Sequence, residues 1–129
     1  MLRVKSVKSP IDPEEDGFRI LATRFRGRGL PANRYDAWVA SLGPSEALLQ
    51  RYLDGKITWA AFGREYVREL RAASPVDAKS RTIKNHGQKF TLRLIKALAE
   101  KQNVTLMCHC GEDAKNCHRF ILQREILRS

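Results

Sequence analysis

The chain has 129 residues, 43% of them hydrophobic, with two Trp, five Phe and three Tyr, which suffices for one core and predicts a single domain. Lys and Arg number 24 against 14 Asp and Glu, a net charge of +10 that favours phosphorylated ligands, nucleic acid or other acidic partners. No apolar run approaches the roughly 20 residues needed to span a bilayer, and the start Met1-Leu2-Arg3-Val4-Lys5-Ser6 has no apolar signal core, so a cytoplasmic protein without membrane attachment is expected.

Leu2 to Val7 alternates apolar and basic residues and predicts a strand, ended by Ser9-Pro10-Ile11-Asp12-Pro13. A second strand is expected at Phe18 to Arg24. Arg26-Gly27-Arg28-Gly29-Leu30-Pro31 then forms a basic loop whose glycines let backbone approach a ligand. It follows a strand's carboxyl end, where open α/β sheets place ligands.

Asp36 to Leu42 reads as a short helix. Gly43-Pro44-Ser45 ends it and caps the next, which carries Leu48, Leu49 and Tyr52 as far as Gly55. Thr58 opens a longer helix in which Trp59, Phe62, Tyr66 and Leu70 recur at helical steps and face the core. After Ser74-Pro75, a helix is expected from about Ala78 to Lys101, clearest from Thr91, where Leu92, Ile95, Leu98 and Ala99 share a face. Its first half carries Lys79, Arg81, Lys84, His86 and Lys89, which read as a solvated basic face. A strand at Asn103 to Cys108 and a helix at Cys117 to Leu127 close the chain. The pattern predicts an α/β fold: one small domain over residues 1–129 with a mostly parallel sheet flanked by helices.

All three cysteines and two of the three histidines fall between Cys108 and His118. An odd number of cysteines so closely spaced is unlike a disulfide framework and points to reduced thiols. Asn116 is expected to cap the last helix, placing Cys117, His118 and Arg119 in its first turn, where amides and the helix dipole favour an anion. A thiolate at Cys117, or at Cys108 on the strand end, is the leading use of these residues, with His118 as acid or base. The phosphatase spacing of Cys and Arg separated by five residues is absent, because positions 114, 116 and 123 hold Ala, Asn and Gln. Zinc ranks behind: Cys108, Cys110, Cys117 and one of His109 or His118 offer four suitable ligands, but Cys-x-Cys beside Cys-His is an awkward spacing for one tetrahedral ion.

Arg24, Arg28-Gly29-Leu30, Trp38, Leu42-x-Pro44-Ser45, Trp59, Phe62, Tyr66 and Val104-Thr105-Leu106 resemble the YeaO-like family of uncharacterised prokaryotic proteins, domain of unknown function 488. The resemblance covers nearly the whole chain. It implies an α/β fold in which the arginine loop and the Cys-His-Arg helix start come close together. An Asp-Arg-Leu-Trp-Pro-Arg-Gly run is expected in that family, and Thr23-Arg24-Phe25-Arg26-Gly27-Arg28-Gly29 stands here instead.

The sequence therefore points to an anion pocket. Arg24, Arg26, Arg28, Asn116 and Arg119 would bind a phosphorylated small molecule, a nucleotide or a nucleic-acid end. Cys108, Cys117 and His118 would supply any catalysis, with no cofactor identified. The alternatives are a non-catalytic basic nucleic-acid-binding module and a zinc-stabilised interaction domain.

Overall fold

The structure, a computed structural model, describes residues 1–72 and 88–129. Strands β1 (Leu2–Ser6), β2 (Phe18–Leu21), β3 (Ala37–Trp38) and β4 (Val104–Cys108) form one sheet in the order β1-β4-β2-β3, every pair parallel. Helices α1 (Pro13–Asp16), α2 (Glu46–Leu53), α3 (Trp59–Arg71), α4 (Lys89–Lys101) and α5 (His118–Leu127) complete a mixed α/β domain. Among the described residues no helix is long and apolar enough to cross a membrane.

β4 is paired on both sides, and all five of its residues are buried, as parallel central strands require. Strand alternation sorts the two layers. Leu2, Ile20, Val104 and Leu106 join Leu48, Phe62, Tyr66, Leu92, Ile95 and Leu122 in the main core, beneath α2 to α5. On the other face Val7, Leu21 and Met107 pack under Leu30 and Tyr35 of the arginine-rich loop. There Thr105 Oγ1 donates to Asp16 O at 2.7 Å and Lys5 Nζ lies 2.9 Å from Asp16 Oδ1, fastening α1 to the sheet.

The caps at Ser45 and Thr58 form as the sequence predicts, accepting from the amides of Leu48 and Ala61. Phe62, Tyr66 and Leu70 are buried on α3, and Trp59 stacks on Phe62 with centroids 5.0 Å apart. Three expected boundaries differ. The second strand ends at Leu21; Ala22 N still donates to Met107 O at 2.9 Å, but the chain then leaves the sheet. The expected helix at Asp36 to Leu42 is instead β3 followed by a single 3-10 turn, because Asp36 N and Val39 N find Arg19 O and Leu21 O at 2.9 and 3.0 Å. α4 begins at Lys89, two residues before Thr91, while the earlier part of that expected helix, with Lys79, Arg81, Lys84 and His86, lies outside the described residues.

Because β2 and β4 are parallel neighbours, Leu21 and Cys108 end side by side, and the loops that follow them share one edge of the sheet. In open parallel sheets that carboxyl edge is where ligands sit.

Candidate active site

Three thiols meet at this edge. Cys108 ends β4, Cys117 is the residue before α5, and Cys110 lies on the intervening loop; their Sγ atoms all lie within 4.8 Å of one another. Cys108 Sγ and Cys117 Sγ are 3.0 Å apart, and all three cysteines are free. Strand end, loop and helix start thus bring together sulfurs whose linear spacing looked unfavourable. Cys108 and Cys117 are buried, whereas Cys110 reaches the surface.

The helix start falls one residue later than the sequence suggests. Cys117 occupies the cap position of α5 without a side-chain capping bond, and Asn116 is an exposed loop residue rather than the cap.

Among the described residues Arg119 is the largest fully buried side chain, at 1% exposure. Its Nη1 donates to Cys108 Sγ at 3.0 Å and to Cys110 O at 3.3 Å, and its Nη2 to Gly111 O and Glu112 O at 3.1 and 3.3 Å. Nε is buried without a partner. The guanidinium is thus an internal frame for the loop, with a sulfur where a carboxylate would ordinarily stand. Glu112, just beyond, ties the loop to β1 by accepting from Ser6 N at 2.8 Å and Ser9 Oγ at 2.6 Å.

His118 joins α5 to the end of β2. Its Nε2 lies 2.6 Å from Ala22 O, an acceptor only, so Nε2 carries the proton and Nδ1 is bare, 4.0 Å from Cys117 Sγ. Burial holds the ring's pKa below its ordinary value despite that bond, so the ring is neutral at physiological pH. His109 reaches the other loop, with Nε2 3.3 Å from Phe25 O. Gly27 closes the contact: its φ is +93°, and a Cβ there would fall 2.6 Å from His109 Cε1. The loop after β4 therefore touches the start of the arginine loop through His109, while the Cys-His-Arg helix start reaches the end of β2 at Ala22.

Between them lies a cavity of about 140 Å³ lined by Thr23, Arg24, Phe25, Pro44, Leu49, His109, Cys110 and His118. Its walls are mostly carbon, with one guanidinium, two imidazoles and one thiol. Arg24 Nε and Nη2 bond Pro44 O and Gly43 O at 3.2 and 2.7 Å, which holds the guanidinium against the cavity wall. Arg26 turns away, bonding Tyr35 Oη and Leu30 O at 2.6 Å each. Arg28 is exposed and makes no hydrogen bond or ion pair among the described residues. Of the arginines singled out in the sequence, only Arg24 lines the cavity, while Arg119 sits behind it. Cys110 and His109, which the sequence offers only as zinc ligands and not as catalytic or anion-binding residues, line it directly.

The thiols are electrically coupled. Hydrogen bonds from Cys108 and Cys117, with help from the positive charge of Arg119, hold the Cys110 thiol below its ordinary value. Cys117 is pushed up by its bonds to Cys108 and Cys110 and by burial, and Cys108 by its bond to Cys110 and by burial, against the lowering from Cys117 and Arg119, because a second sulfur would have to ionise beside an anion.

A family model described as the active DUF488-N3 subclade, DUF488-N3a, matches residues 2–129. The chain belongs to this family, within the YeaO-like group that its residues resemble. No curated protein and no solved structure shows a significant match to it.

Proposed function

We propose that the carboxyl-edge cavity binds a phosphorylated, nucleotide-type ligand against the thiol cluster, and that the protein is an enzyme acting on it. The observation that carries this reading is the pairing of a carbon-walled cavity with cations that lack carboxylate partners. Arg24, Arg26, Arg28 and Arg119 make no ion pair among the described residues. Carbonyl partners orient a guanidinium without cancelling its charge, so the edge presents net positive potential to an anion.

The cavity is below the roughly 300 Å³ at which drug-sized sites begin, so it suits one part of a ligand. Phe25, half-exposed, offers an aromatic face for a planar ring, and Pro44 and Leu49 supply the opposing apolar wall. Arg24 and the exposed Arg28 would then hold the phosphate. An oligonucleotide end satisfies the same chemistry. The description of the subclade as active agrees with an enzyme.

Calorimetric titration with a nucleoside monophosphate, the matching nucleoside and inorganic phosphate tests this. The monophosphate binds more tightly than either component, and Arg24→Ala lowers its affinity about tenfold, the loss of one charge-assisted contact. Equal affinity for all three, or no response to Arg24→Ala, refutes the reading.

A further inference from the structure

The geometry points to a metal site: Cys108, Cys110 and Cys117 bind one zinc-class divalent ion, with the fourth coordination position open to the cavity. This rests on the ligand pocket proposed above, whose edge it shares.

The convergence of the sulfurs is the first argument. Three Sγ atoms lie within 4.8 Å of one another, and two of them are 3.0 Å apart. Tetrahedral zinc with sulfur at about 2.3 Å sets its ligands about 3.8 Å apart, so occupation requires shifts on the order of 1 Å. Thiolate ligands select zinc among the divalent ions that a cell holds in quantity, and three sulfurs are one short of the usual set for an iron–sulfur cluster.

Charge is the second argument, and it is independent of the spacing. A guanidinium at 1% exposure calls for a nearby anion, and Arg119 hydrogen-bonds only carbonyls and Cys108 Sγ, the Glu112 carboxylate acting on it from beyond hydrogen-bond range. Three thiolates around a dication carry one net negative charge, which Arg119 balances. Its Nη1–H to Cys108 Sγ is the outer-shell bond that orients a metal ligand, and its remaining bonds fix the loop that carries Cys110.

The open position follows from where the fourth candidate stands. His118 Nδ1 is bare but lies outside the cluster of sulfurs, 4.0 Å from Cys117 Sγ. Cys110 is the sulfur that lines the cavity, so the face of the ion not covered by sulfur looks into it, beside His118 and His109. Three protein ligands and a vacant position define catalytic rather than structural zinc. Binding releases the thiol protons to solvent, and the ligand in the cavity offers its own oxygen or nitrogen, or a water, as the fourth donor.

The test uses the full chain, reduced and freed of metal by chelation, titrated with Co²⁺ and then Zn²⁺. About one Co²⁺ binds per chain and gives thiolate-to-cobalt charge-transfer absorption with the visible bands of a tetrahedral site, which one equivalent of Zn²⁺ abolishes. Cys110→Ser, the substitution at the exposed position, keeps its fold by circular dichroism and loses much of the charge-transfer intensity. Absence of stoichiometric cobalt, or an unchanged spectrum in Cys110→Ser, overturns the proposal. Nucleotide binding that persists in a protein taking up no metal overturns the metal site alone and leaves the ligand pocket standing.

Discussion

Arg119 Nη1 donates to Cys108 Sγ at 3.0 Å in a place where neither group meets water. One contact thereby joins the end of the central strand, the loop after it and the first turn of the last helix. Everything at the carboxyl edge is arranged around it: the carbonyls of Cys110, Gly111 and Glu112 accept from the same guanidinium, and Cys117 packs against the same sulfur.

Replacing Arg119 tests that frame. Arg119→Met fills much of the volume but leaves three loop carbonyls without their donor and the thiols without their cation. A loss of about 3 kcal/mol or more is expected, since each buried acceptor left without its donor costs about 1–3 kcal/mol. Urea unfolding followed by circular dichroism measures it; a loss below about 1 kcal/mol would mean that the loop is held by other contacts.

Gly27 gives a sharper, local test. Its positive φ, and the 2.6 Å that would separate an added Cβ from His109 Cε1, make Gly27→Ala both strained and crowded. The expected cost is about 1–2 kcal/mol, and nucleotide affinity falls because His109 and Phe25 lose their contact. Gly29 also has a positive φ but open space around it, so Gly29→Ala carries the strain without the clash and spares affinity.

Much of this frame is legible in the sequence. The caps at Ser45 and Thr58, the apolar stripe of α3 and the closing strand and helix are local features, governed by short-range rules. The two-residue strand β3 is not, because its pairing with Arg19 and Leu21 and the bond from Trp38 Nε1 to Thr23 O at 2.8 Å depend on residues 15 or more positions away. At the site, the sequence picks out Cys108, Cys117, His118 and Arg119 as a group that the fold does bring together. It does not show that Arg119 is enclosed, that Ala22 O fixes the tautomer of His118, or that Cys110 alone among the thiols faces the cavity. Those facts follow from β2 and β4 being neighbours, which is a property of topology.

Acid should weaken the other face of the sheet. Burial alone would raise Asp16, but the Asp12 amide at 3.0 Å and Lys5 Nζ at 2.9 Å outweigh it and hold the carboxyl below its ordinary range. A carboxyl depressed in the folded state contributes fully above its unfolded value, about 3.9, and the contribution is lost as pH falls through the folded value. Stability of the native protein therefore drops below about pH 4 by this route, and Asp16→Asn, weaker at neutral pH, shows a shallower acid dependence. Parallel curves for the two proteins would assign acid unfolding to other groups.

Arg24 and Arg28 should separate structure from binding. Arg24 anchors Gly43 O and Pro44 O, so Arg24→Ala lowers both stability and nucleotide affinity. Arg28 holds nothing within the described residues, so Arg28→Ala leaves the unfolding midpoint unchanged and weakens binding in a salt-dependent way. Melting curves and titrations at two ionic strengths distinguish them.

Alkylation of Cys110, resolved by mass spectrometry in metal-free protein with and without a nucleoside monophosphate, tests the central claim most directly. Cys110 is the thiol that lines the cavity, so a ligand seated there shields it. The account predicts slower alkylation of Cys110 with the nucleotide present, and protection in Arg24→Ala only at about tenfold higher nucleotide concentration. A rate at Cys110 indifferent to the nucleotide in the native sequence would contradict it.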